Sequence, residues 1–254
     1  MYVYQCENSM ESIFTAIYQI YEDRHNLGDT VIQLDEEPLL FAEYITVVTD
    51  LEKAQKVART LRSRFGEEDY DTICLALTSP HAEKAQAVYR TVAYGLSSRP
   101  AKGHLFDHLT DDNVRKTAFL GQSASKECCH LKGFLRFAEL DNGLLFARIE
   151  PKNNLVAHLM EHFSDRFPSE NFAVYDEGRG LMGIHPAGRE WFLASGEELE
   201  SALDGVRVSR KEEEYAELFR HFCRRITIAE RSNPKLQQNM LPLRFREYMT
   251  EFQL

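Results

Sequence analysis

The chain reads as an α+β protein, mostly helical in its first half, with a strand, a helix and a three-strand meander forming a sheet packed on helices in its second half. Three observations predict this. Apolar residues recur at helical spacing through most of residues 1–135, short β-branched and aromatic runs separated by Gly- and Pro-containing turns dominate residues 144–193, and helical spacing returns after Glu212.

Alternation in Tyr2-Val3-Tyr4-Gln5-Cys6 predicts a first strand. Asn8 or Ser9 then caps a helix with Met10, Ile13, Phe14, Ile17, Tyr18 and Tyr21 on one face, and Gly28 ends it. Residues 30–34 and 43–48 are strands through their β-branched side chains. Asp50 opens an amphipathic helix through Leu51, Ala54, Val57, Ala58, Leu61 and Phe65, stopped by Gly66. From Tyr70 to about Arg99 the pattern is helical, with Pro80 dividing Ile73, Leu75 and Leu77 from Ala85, Val88, Tyr89 and Val92. The small and polar residues 97–103 form the best boundary loop.

Asp111 and Asp112 cap a long helix running through Val114, Ala118 and Phe119 towards Leu135 and Phe137, with Gly121 and Gly133 as candidate interruptions. Asp141-Asn142-Gly143 is a turn, followed by a strand over 144–149. Asn153 or Asn154 caps a helix over 155–167, and residues 172–175, 181–184 and 191–193 are the three strands of the meander. Acidic Glu212, Glu213 and Glu214 open the next helix, on the end that favours negative charge, and Arg224 and Arg225 lie towards its other end. Residues 228–238 read as a structured closing loop, and a last short helix begins around Pro242. The expected organisation is a region 1–110 and an Arg-rich region 111–254, or one integrated domain.

With 254 residues, 43% of them hydrophobic, the chain is long enough to bury a full-sized core. It lacks a basic and apolar leader at Met1 and any apolar run of membrane-spanning length, so a soluble, cytoplasmic protein without membrane contact is expected. Five cysteines, odd in number and without C-x-x-C spacing, suit reduced thiols. The vicinal pair Cys128-Cys129 is read as buried thiols. Neither a Walker motif nor G-x-G-x-x-G is present, and no cofactor is expected.

A formal charge of -10 argues against indiscriminate attraction to nucleic acid. The acidity lies mainly in the first half. In the second half Arg outnumbers Lys, and Arg reads phosphate and carboxylate bidentately, which permits an anion site without requiring one.

His158-Leu159-Met160-Glu161-His162 is H-x-x-E-H, in which two imidazoles one helical turn apart hold zinc and the Glu activates water. The same letters also describe an amphipathic helix with Leu155, Leu159 and Phe163 inward. Arg166, one turn after His162, either adds a second donor for a phosphate or pairs with a nearby carboxylate. Asp176 and Arg179 border a Gly-containing turn that can display them or be tied down by them.

The series Gly133-Phe-Leu-Arg-Phe137, Leu145-Phe-Ala-Arg-Ile-Glu-Pro151, His162-Phe-Ser-Asp-Arg-Phe167, 172–176, Ile228-Ala-Glu-Arg231 and Pro242-Leu-Arg-Phe245 resembles an uncharacterised bacterial family of DNA-repair or DNA-metabolism proteins. Members of that family look like small partners of a radical-SAM DNA-modification protein, and a related domain is fused to a uracil-DNA glycosylase-like domain. Its H-F-x-x-R-F pattern maps onto His162, Phe163, Arg166 and Phe167, leaving His158 and Glu161 outside. The end departs from it: Pro242-Leu-Arg-Phe-Arg246 stands where the family shows an aromatic pair and an acidic end.

The resemblance implies an accessory protein meeting DNA or a radical-SAM partner through Arg136, Arg166, Arg179, Arg231 and Arg244. The rival expectation is a nucleotide- or base-directed enzyme with His162 as acid/base and Asp176 or Glu230 as its orienting carboxylate. A zinc hydrolase built on His158 and His162 is the third.

Overall fold

The computed structural model describes residues 1–35, 38–97, 104–196 and 207–252. Residues 98–103 of the expected boundary loop lie outside the described residues. The chain divides into two units, Met1–Ser125 and Lys126–Leu254.

In the first unit β1 (Tyr2–Gln5) lies between β2 (Thr30–Gln33) and β3 (Glu43–Thr46), parallel to both, with Val3 opposite Val31 on one side and Tyr44 on the other. Parallel neighbours need long crossovers, and α1 (Met10–Asp23) supplies the first. Ser9 caps it by accepting the Ser12 N–H. The helix ends earlier than Gly28: Arg24 takes the left-handed conformation at φ 57°, and Gly28 sits in the 3-10 turn that follows.

Asp50 caps α2 (Leu51–Phe65) through the N–H groups of Glu52 and Lys53, and Gly66, at φ 88°, both ends it and starts α3 (Glu67–Leu77). With α4 (Lys84–Ser97) these helices bury Ile13, Phe14, Ile17, Leu61, Ile73, Val88 and Tyr89 around Tyr4. α5 (Asp112–Phe134) continues from this unit into the next without interruption at Gly121. That glycine is a contact point instead, because a Cβ there would lie 2.6 Å from the Thr72 carbonyl oxygen.

The second unit holds β4 (Ala138–Glu139), β5 (Leu145–Ile149), β6 (Phe172–Asp176), β7 (Leu181–His185) and β8 (Phe192–Ser195), in that spatial order. Only β5 and β6 are parallel, and α6 (Val156–Arg166) is their crossover; β6, β7 and β8 form the antiparallel meander. Val156, Leu159, Met160 and Phe163 are the buried stripe of α6. Gly183 in β7 makes room for Met160, which a Cβ would strike. Phe137 packs edge-on against Phe163, Phe167 and Phe172 at 5.2, 5.9 and 5.6 Å, which anchors the helix over the sheet.

Two local expectations change here. Asn153 does not cap α6: Leu155 occupies that position without a side-chain bond, and Asn153 turns to Glu127. The closing stretch is partly helical, because Asn233 caps α8 (Pro234–Met240), with Pro234 in its first turn where its missing N–H costs nothing. Before it comes α7 (Arg210–Ile226), capped by Ser209; α9 (Leu243–Arg246) follows. Among the described residues no helix is long and apolar enough to cross a membrane.

Candidate functional site

The turn Pro151-Lys152-Asn153, between β5 and α6, is gripped from two sides. Glu127 of α5, almost wholly buried, accepts the Lys152 N–H at Oε1 (3.0 Å), and at Oε2 the Asn153 N–H (2.9 Å) and side-chain amide (2.6 Å). Arg244 of α9 completes its neutralisation, with Nη2 at 3.0 Å from Oε1. Across the turn, Arg179 donates Nη1 to the Pro151 carbonyl (2.9 Å) and Nη2 to the Lys152 carbonyl (2.5 Å). The same guanidinium pairs with Asp176 at 2.8 Å. Asp176 is fully buried at the end of β6, and burial pushes its carboxyl pKa up, against the downward pull of Arg179.

Arg136 is held in the same manner. Its guanidinium meets Glu251 at 2.8 Å and donates to the carbonyls of Gly133 and Leu135. Nearby, the rings of His130, Phe134 and Phe245 lie 5.5 to 5.6 Å apart. The Tyr248 hydroxyl donates to Glu177 (3.1 Å), which also pairs with Arg148 (3.2 Å). The cleft between these groups encloses only about 10 Å³, room for at most one water and not for a ligand.

Three of the five arginines expected to face DNA or a partner, Arg136, Arg179 and Arg244, are thus engaged with carboxylates of their own unit. Arg166 and Arg231 are exposed and make no ion pair among the described residues. Arg166 ends α6, its guanidinium 5.8 Å from the Phe167 ring centre, one turn after His162. The half-buried His162 ring lies edge-on to Phe163 at 5.0 Å. Its pKa is lowered, first by burial and then by the cations of Lys132 and Arg166, with Asp165 opposing them. Lys132, in the last turn of α5, is also exposed and outside every ion pair among the described residues.

No hydrogen bond, ion pair or ring contact joins His162 to Asp176 or Glu230 among the described residues; Glu230 is exposed in the turn Ala229–Arg231. The described residues contain no group of three His, Cys, Asp or Glu side chains placed to hold a metal ion, so His158 and His162 have no third ligand there. Cys128 and Cys129 differ: the first is buried, with its thiol pKa raised chiefly by burial, and the second is exposed.

Glu127, the hub of the arrangement, was not singled out from the sequence. The signal was present, because it stands in the apolar register of Leu120, Ala124 and Leu131, where a carboxylate needs buried partners. Lys132 gave no such signal, as an exposed lysine near a helix end is ordinary.

No curated protein matches the chain. A family described as a domain of unknown function, DUF4130, matches residues 82–251. That span covers well over half of the chain, from the start of the fourth helix through the whole gripped turn to Glu251, and the chain belongs to the DUF4130 family.

Proposed function

We propose that this chain is an accessory protein of DNA repair or DNA metabolism, which binds the nucleic-acid backbone through the end of α6 and works beside a radical-SAM enzyme. The observation that carries the reading is the contrast among its basic side chains. Arg136, Arg179 and Arg244 are neutralised internally, whereas Arg166 and Lys132 are exposed, unpaired among the described residues, and near enough to His162 to depress its pKa. Two cations beside His162, opposed there by Asp165, on an otherwise acidic protein suit a phosphate, which would neutralise both and favour protonated His162. The series of residues that resembles the DNA-repair family supplies the radical-SAM partner in this reading.

Binding of labelled single- and double-stranded oligonucleotides, followed by anisotropy over a range of salt, tests it. Affinity should fall as salt rises, and Arg166→Ala should weaken binding across sequences while reducing the log–log salt slope by about 1. No binding at low salt by either strand form, together with no association with a co-expressed radical-SAM partner, removes the proposal.

A further inference from the structure

Among the described residues, helix α7 is the one long helix of the second unit with no buried residue. Its least exposed side chains, Glu212, Ala216, Arg220 and Cys223, follow one stripe, and Glu212 accepts the N–H of Glu139 on β4. With about 3.6 residues per turn, a second stripe beside it carries Tyr215, Leu218, Phe222 and Ile226. These four large apolar side chains are 57%, 63%, 54% and 58% exposed. The stripe continues into an open groove where Ile226 meets Ile228, Leu236 and Met240. An apolar surface of this extent marks an interface.

Charge along the helix indicates the occupant. After Arg210 and Lys211 in its opening turn, Glu212, Glu213, Glu214 and Glu217 leave its first half net acidic, whereas Arg220, Arg224 and Arg225 make its second half basic. Such a helix is complementary to a reversed copy of itself and repels a copy that runs in the same direction. Around the axis, Glu214 and Arg225 both border the apolar stripe on the side away from Ala216, so a two-fold axis near the middle of the helix brings each against the other's counterpart. Glu214 lies 3.4 Å from Arg210 in an exposed i,i+4 pair that separates readily. We infer that the face of α7 binds a second copy of this chain, antiparallel and two-fold symmetric, with Tyr215, Leu218, Phe222 and Ile226 at its centre and reciprocal Glu214–Arg225 pairs at its edge.

Sedimentation equilibrium of the full chain tests this. The wild type should be a dimer at micromolar concentration, and the double variant Leu218→Glu, Phe222→Glu a monomer with an unchanged circular-dichroism spectrum. Glu214→Arg and Arg225→Glu should each weaken the dimer about tenfold or more by placing like charges together, and the two combined should restore it. A monomeric wild type overturns the inference and assigns the face to a different protein. A combined charge swap weaker than either single change also overturns it, since only the reversed second copy predicts rescue.

Discussion

Glu127 and Arg179 hold opposite edges of one turn. The carboxylate takes the N–H groups of Lys152 and Asn153, and the guanidinium takes the carbonyls of Pro151 and Lys152. Backbone groups that neither strand nor helix satisfies are thereby paired where β5 gives way to α6. Each gripping side chain is balanced in turn, by Arg244 and by Asp176.

Glu127→Gln should therefore cost about 2–4 kcal/mol of stability, because the new amide points an N–H at an N–H and leaves Arg244 unpaired. Arg244→Met should cost less, since its side chain is 37% exposed and water reaches it. Urea unfolding of both variants checks the order; equal losses would show that Glu127 acts through the ion pair alone.

Gly121→Ala and Gly133→Ala should have opposite signs, although both lie in α5. The first gains helix propensity of about 1 kcal/mol but drives a methyl group onto the Thr72 carbonyl, for a net loss of roughly 1–3 kcal/mol. The second meets nothing within 4 Å and should gain up to about 0.5 kcal/mol near the helix end. Thermal unfolding of the pair reads the difference.

His162 should titrate below the ordinary histidine value of about 6.5. The unfolded chain then takes up its proton before the folded one does, so the stability contributed above the ordinary value is lost as pH falls through the lowered one. His162→Asn should flatten this part of the stability profile. Imidazole proton shifts in NMR give the pKa directly, and adding an oligonucleotide should raise it if a phosphate settles beside Lys132 and Arg166.

Arg166→Ala and Arg179→Ala should separate binding from folding. Arg166 makes no ion pair among the described residues, so its loss should leave stability within about 0.5 kcal/mol of wild type while DNA affinity drops. Arg179 is tied to Asp176, Pro151 and Lys152, so its loss leaves a buried carboxylate unpaired and should cost about 3 kcal/mol or more. Denaturation midpoints and salt-dependent binding, measured on both variants, decide the division of labour.

Much of the fold was legible because periodicity and caps are local. Asp50, Gly66, Pro80 and the Asp141–Gly143 turn mark their elements by chemistry that neighbours cannot override easily. What was hidden depended on partners far along the chain. Asn153 carries cap chemistry, yet Glu127, 26 positions away, captures its side chain. Gly121 looks like a helix break until Thr72 lies against it. The arginines were visible as a class, but which are spent internally turns on Glu251, Asp176 and Glu127, and no spacing along the chain announces those pairings.

The adjacent thiols of Cys128 and Cys129 provide a built-in clock. One turns outward and the other inward, so a thiol reagent should modify Cys129 at the rate of an accessible thiol and Cys128 only when the surrounding structure opens. With Cys6, Cys74 and Cys223 replaced by Ser, so that the other buried thiol adds no slow phase of its own, the slow phase reports openings around Cys128, the residue next to Glu127. A ligand that strengthens the grip will lengthen that phase, and one that loosens it will shorten it.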